Sequence, residues 1–166
     1  MSSYDWSKFR LRINIDVPVE LVYAAWTTRQ GLESWFLRKA LLFASNGEPR
    51  GIKESIQAAD TYEWYWFGYP DTVLEKGNIL EANGYDLLRF SFAGSCIVTI
   101  TIFTEEKETI CELIQSQIPE DDASRVKFHL GCSNGWTFYL GNLKSILEGG
   151  IDLRNKNENL KVVVNS

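Results

Sequence analysis

His129 is the only imidazole among the 166 residues, so any histidine-dependent acid–base or nucleophilic step must pass through it. Cys132 follows three residues later, a spacing that brings two side chains onto one helical face and would suit a thiol–imidazole pair. Such a pair also needs an orienting group and an oxyanion site, and the sequence marks neither. The plainer role for His129 is a surface or helix-packing one. Glu112 shares a strand face with Ile110 and Ile114, taken as the inner face. An inward carboxylate there could orient a ligand or act as a general base with a raised pKa. A local bulge that turns Glu112 to water is the competing reading.

Other chemistries are poorly supplied. The three cysteines, Cys96, Cys111 and Cys132, are too few and too widely spaced for a disulfide scaffold and read as reduced thiols. With one histidine and no paired C-x-x-C, no zinc site or other metal centre is expected. Gly47, Gly84 and Gly94 look like turn glycines, and none belongs to a phosphate-cradling loop, so no nucleotide cofactor is expected either.

The aromatic residues carry more weight: 6 Trp, 7 Tyr and 9 Phe. Each buried ring removes about 150–250 Å² from water. Trp26, Trp35 and Phe36 fall in two short helical segments, Trp64 and Trp66 on one strand, Phe90 and Phe92 on another. Trp136 and Tyr139 fall on a long helix with Leu140 and Leu143. Rings facing one another from sheet and helix can fill a core, or they can line a dry pocket for an apolar or aromatic ligand. The expected pocket lining is Trp26, Trp35, Phe36, Trp64, Trp66, Phe90, Glu112, Trp136, Tyr139, Leu140 and Leu143.

The elements that must position these groups follow from periodicity. Over residues 9–17, Phe9, Leu11, Ile13, Ile15 and Val17 alternate with Arg10, Arg12, Asn14 and Asp16, as in a half-buried strand. Pro18 ends it and suits the first turn of a helix. Two short helices follow, to residue 36, then a strand over 37–44 and a long mobile loop over 45–59. From Thr61 the period falls to two, through Tyr62, Trp64 and Trp66, then Leu88, Phe90 and Phe92, then Val98, Ile100 and Ile102. Turns at Asn83-Gly84 and Ala93-Gly94 make this an antiparallel meander of four or five strands. The carboxylates of 119–122 suit the start of a final helix over about 121–148, ended by Gly149-Gly150. In that helix Val126 and Leu130 form one apolar pair; Trp136, Leu140, Leu143 and Leu147 follow 4-3-4 spacing. Gly131 and Gly135 weaken its middle, where a kink or close packing is expected. The valine run 162–164 would either close an edge within the chain or seal a homodimer.

One apolar sheet face and one long amphipathic helix define an α+β architecture in which a curved antiparallel sheet wraps around the C-terminal helix. The stretch Ile13-Asn-Ile-Asp-Val-Pro-Val-Glu-Leu-Val-Tyr-Ala-Ala-Trp-Thr27, followed by Leu32-Glu-Ser-Trp-Phe36, resembles the opening of the START-like (SRPBCC) superfamily, which has the helix-grip fold. Gly135-Trp-Thr-Phe-Tyr-Leu-Gly-Asn-Leu-Lys-Ser-Ile-Leu147 resembles the closing helix of the branch related to the heat-shock protein 90 ATPase activator C-terminal domain. The resemblance implies one helix-grip domain over residues 1–150, with a tail over 151–166. It also implies a range of functions, since fold alone does not select one.

Composition narrows that range. A formal net charge of −5 without a basic block argues against nucleic acid and anionic membrane surfaces as partners. The opening residues carry neither a basic n-region nor an apolar h-region, and no apolar run reaches the roughly 20 residues of a membrane span, so a cytoplasmic protein is expected. The leading expectation is non-enzymatic binding of a small hydrophobic molecule between sheet and helix. The resemblance adds a chaperone-regulating interaction domain and a polyketide cyclase/dehydratase-like enzyme, the latter with Glu112 and His129 as its acid–base groups.

Overall fold

The computed structural model describes residues 2–164. Strand β1 (Phe9–Ile15) buries Phe9 and Ile15 and exposes Arg10, Arg12 and Asn14, so its alternation sets its two faces. Pro18 precedes α1 (Val19–Thr27), and the Thr28 hydroxyl caps α2 (Arg29–Trp35) by accepting from the Gly31 amide at 2.9 Å. Gly31 is where the two helices touch: a Cβ there would stand 2.7 Å from Ala25 Cα and 2.8 Å from its carbonyl oxygen. That close approach lets Trp35 Nε1 donate to the Ala25 carbonyl at 2.9 Å.

The meander comprises β3 (Thr61–Tyr65), β4 (Glu75–Ala82), β5 (Leu87–Phe92), β6 (Cys96–Glu105) and β7 (Glu108–Ser116). β2 (Lys39–Phe43) joins one edge beside β3, and β1 joins the other beside β7. The result is a seven-stranded antiparallel sheet of order β1-β7-β6-β5-β4-β3-β2. The expected α+β helix-grip fold is the one observed, with a curved open sheet and a long C-terminal helix.

Register decides which residues face the helix. On β6, Val98, Ile100 and Ile102 are buried, and their partners on β7 are Gln115, Leu113 and Cys111. Ile110, Glu112 and Ile114 therefore lie on the outer face. This corrects the inner-face assignment of Glu112. Its neighbours are Arg12 on β1 and Thr101 on β6, and Arg10 Nε donates to Glu112 Oε2 at 2.7 Å. No bulge is needed to turn Glu112 outward; the apolar outer-face residues simply imitate an inner row.

The segment 45–59 is tied down rather than loose. Ile56 is buried and its amide donates to the Thr27 carbonyl at 2.7 Å. Arg50 donates two hydrogen bonds to Asp60, each 2.9 Å, and the Asp60 side chain is only 1% exposed. A bidentate pair of this kind ties the interior of the loop to its C-terminal end.

The final helical run spans 122–147 in three parts: α3 (Asp122–Ser124), a π-helical segment (Arg125–Leu130) and α4 (Gly131–Leu147). Asp121 caps its start, accepting from the Ser124 amide at 3.0 Å, and hydrogen bonding by the Ser124 side chain and amide holds its carboxyl below the usual range. The irregularity expected at the glycines falls in the π-segment just before Gly131. The wider turn changes the facing of side chains there. His129 points inward, whereas Val126 is 64% and Leu130 46% exposed, so these two do not form the expected inner pair. In α4 the expected face holds: Trp136, Leu140 and Leu143 are buried against the sheet.

After α4 the chain turns back onto α2. Arg154 is buried and donates to the carbonyls of Leu37 (3.0 Å), Glu33 (3.2 Å) and Ser34 (3.0 Å), while Asp152 accepts from it at 2.8 Å. The guanidinium thus satisfies carbonyls that the end of α2 leaves open. Residues 160–164 form no strand, and they border the same cavity as α4 and the β3–β4 connection.

Candidate functional site

Most of the space between sheet and helix is filled by rings. Trp26 packs edge-on to Trp35 with centroids 4.7 Å apart, and Trp35 stacks on Phe36 at 5.1 Å. Tyr62 stacks on Trp64 at 3.9 Å, and Trp64 meets Phe90 at 5.2 Å. Trp26, Trp35, Trp64, Phe90, Leu140 and Leu143 are all buried in this core and do not line the cavity described next. Burial drives the Tyr62 hydroxyl pKa far up; that hydroxyl donates to the Ser91 carbonyl at 2.5 Å.

Beyond the plug, a cavity of about 890 Å³ opens at one end of α4. Phe36, Trp66, Trp136 and Tyr139 of the expected lining stand in its wall, joined by Phe92 from the end of β5. Phe36 is the hub: its ring lies 5.1 Å from that of Trp136, 4.9 Å from Tyr139 and 5.6 Å from Trp66. The Trp136 indole is fixed by donating to Gln115 Oε1 at 3.0 Å, and Gln115 in turn donates to the Phe128 carbonyl at 3.5 Å in the π-segment. Gly135, with nothing within 4 Å of where its Cβ would be, leaves room on the helix side. Tyr69 and Val73 of the β3–β4 connection and residues 160–164 complete the wall.

The cavity's polar groups are few. Burial pushes up the pKa of both the Cys132 thiol and the Tyr139 hydroxyl, so both stay protonated at neutral pH. Among the described residues the lining holds no carboxylate and no imidazole, and no cluster of metal-ligating side chains occurs. Lys161, its one cation, donates to the Glu158 carbonyl at 2.6 Å.

The two candidate acid–base groups lie elsewhere. Glu112 is held outside the sheet between Arg10 and Arg12. His129 is caged by Tyr4, Trp6 and Phe9, with ring centroids at 5.4, 5.1 and 5.4 Å. Its Nδ1 donates to the Trp6 carbonyl at 3.0 Å, and its Nε2 lies in hydrogen-bond contact with the Tyr4 hydroxyl at 2.9 Å. That imidazole clamps the N-terminal segment to the final helix. Cys132 does reach the cavity, but without its histidine.

A curved antiparallel sheet gripping one long helix, with an apolar hollow where sheet and helix part, defines a helix-grip protein of the START-like superfamily. The chain belongs to the activator of Hsp90 ATPase homolog 1-like protein family, whose family model matches residues 16–148. No curated protein matches it in sequence. Among solved structures it is similar to the Aha1 dimer from Colwellia psychrerythraea, at 20% identity and a TM-score of 0.65, covering 86% of this chain and 97% of that one. It is also similar to protein SSP2350 from Staphylococcus saprophyticus, at 22% identity and a TM-score of 0.67, covering 89% of this chain and 96% of the other. DynU16, described as a putative protein in the dynemicin biosynthetic locus, shares 17% identity with a TM-score of 0.65. That match covers 90% of this chain, which spans about half (50%) of DynU16. At these identities the likeness concerns the fold.

Proposed function

We propose that the chain binds a small apolar molecule, with at least one aromatic or extended hydrophobic face, in the cavity between the sheet and α4. The observation that carries this reading is the cavity of about 890 Å³ walled by Phe36, Trp66, Phe92, Trp136 and Tyr139. Its volume falls in the range of about 300–1,000 Å³ typical of small-molecule sites, and its mostly apolar wall with a few polar groups is their usual make-up. The rings are held in place by one another and by Gln115, so the wall is formed before a ligand arrives and little ordering cost attends binding. Among the described residues the lining holds no acid–base pair, and so we read the site as one that holds rather than transforms its ligand. The three free thiols, with Cys96 and Cys111 fully buried, support placement in a reducing compartment such as the cytoplasm.

Titration with the neutral fluorophore N-phenyl-1-naphthylamine tests the reading. Saturable enhancement of its emission, with quenching of the tryptophans and a raised melting temperature, is the expected result. A linear, unsaturable response would reject it.

Family membership and likeness to the Aha1 dimer favour a second reading, a chaperone-regulating interaction domain that itself dimerises. Pull-down of heat-shock protein 90 and sedimentation of the free chain test its two halves. A clean negative in the first removes chaperone binding; a single monomeric species in the second removes the dimer.

A further inference from the structure

The cavity wall contributed by residues 160–164 differs from the rest of the lining in how it is held. The tail's base is bonded to the domain. Besides the Arg154 bonds to α2, the Leu153 amide donates to Asn142 Oδ1 at 2.7 Å, and the Arg154 guanidinium lies 5.3 Å from the centre of the Phe67 ring. Lys156 still reaches back, to Asp152 at 3.0 Å and over the Phe67 ring at 5.3 Å, but the pattern otherwise changes past Arg154. Asn155 donates to the Asn157 carbonyl, Asn157 and Asn159 close turns on the preceding asparagine side chains, and the Leu160 amide returns to Asn157. These bonds run within the segment.

The end of the segment buries little. Leu160 is 49%, Val162 100% and Val164 76% exposed although all three border the cavity. Val162 also has φ of 55°, in the left-handed region that a β-branched residue enters only under strain. A fixed base, a self-contained turn and a strained, weakly buried tip have the parts of a hinged flap.

We propose that residues 157–164 are a displaceable strap over part of the cavity mouth, hinged at the asparagine turn, and that lifting the strap widens the path for ligand entry. The inference rests on the ligand-binding reading above and supplies its gate. The gate also has a readout that needs no ligand. Cys132 lines the cavity, whereas Cys96 and Cys111 are fully buried in the core, and burial pushes the Cys111 thiol up to about 12. Native alkylation by N-ethylmaleimide therefore reports on the cavity mouth, with the other two thiols as internal controls for unfolding.

The experiment compares the full chain, a chain shortened after Lys156, and a full-length Leu160→Ser/Val163→Ser variant, with Cys132→Ser to assign the reactive thiol. Removing the strap is expected to raise the Cys132 alkylation rate at least about tenfold, with the double variant in between, while Cys96 and Cys111 stay unmodified. The on-rate of N-phenyl-1-naphthylamine should rise in parallel. Equal alkylation rates in the full chain and the double variant would overturn the strap, whether or not the fluorophore binds. If the shortened chain unfolds, Cys96 and Cys111 become labelled, and the full-length double variant decides the matter. Diverging alkylation rates without fluorophore binding in any variant would leave the strap standing and remove the ligand reading.

Discussion

Asn142 on α4 joins three parts of the molecule through one side chain: its Nδ2 donates to the Trp35 carbonyl at 2.7 Å, and its Oδ1 accepts from the Leu153 amide at 2.7 Å. It is fully buried, as is Trp35, so the carbonyl at the end of α2 cannot turn to water if the amide is lost. Replacing it strands that carbonyl and unties the amide at the base of the tail. Asn142→Ala is expected to lower stability by about 1–3 kcal/mol, the cost of one stranded buried group. Urea unfolding measures it. A loss below about 1 kcal/mol would mean that the three parts are held by other contacts.

The contact between α1 and α2 gives a sharper test, because backbone cannot move aside as a side chain can. Gly31→Ala would press a methyl group into the Ala25 backbone. A loss of at least about 2 kcal/mol is expected, at the upper end for overpacking. Gly135→Ala, into open space on α4, should raise stability by about 0.5–1 kcal/mol through helix propensity alone. The pair of variants, compared by thermal melting, should move in opposite directions.

Gly135 also offers a way to close the cavity without disturbing the core. Gly135→Phe places a ring into the hollow beside Trp136 and Tyr139. Fluorophore affinity should fall at least about tenfold while the melting temperature is kept, since a tenfold change needs only about 1.4 kcal/mol. Unaltered affinity would place the bound probe somewhere else.

Glu75 supplies a pH test. It is half-buried and burial raises its pKa, opposed by a hydrogen bond from the Ala93 amide at 2.7 Å and by the charge of Lys127. With its folded pKa above the unfolded value, the protonated form is favoured by folding, and stability is given up as pH rises through the unfolded value of about 4.3 toward the folded one. Glu75→Gln keeps the acceptor and removes the charge. The variant should match the parent near pH 4 and exceed it in stability at pH 7, and denaturation at the two pH values checks this. A variant less stable at neutral pH would show that Lys127 outweighs burial.

The order of elements along the chain, the two short helices and the apolar stripe Trp136–Leu140–Leu143 are legible, because each rests on local periodicity. What was not legible rests on register or on irregular backbone. Glu112 illustrates the first: with Ile110 and Ile114 beside it, the outer face of β7 looks as apolar as the inner one. Only its pairing with Arg12 and Thr101 across neighbouring strands reveals the side it takes. Arg154 illustrates the second. No periodic signal marks an arginine that leaves a polar tail to cap α2, and its role is visible only where Glu33, Ser34 and Leu37 present their carbonyls together. The aromatic set shows a third limit. Residue type announced a ring-rich interior, but which rings plug it and which border the hollow depends on packing distances of a few ångströms that a sequence does not carry.

The pairing of β1 with β7 carries a consequence for how the molecule is made. Among the described residues β1 has its one sheet neighbour in β7, at the far end of the meander, so it must wait for the strands between them to be synthesised before it can dock. Distant pairings of this sort slow folding and leave apolar strands without neighbours for longer. The Arg10 and Arg12 side chains on that waiting strand offer a charged guard against adventitious association until β7 arrives.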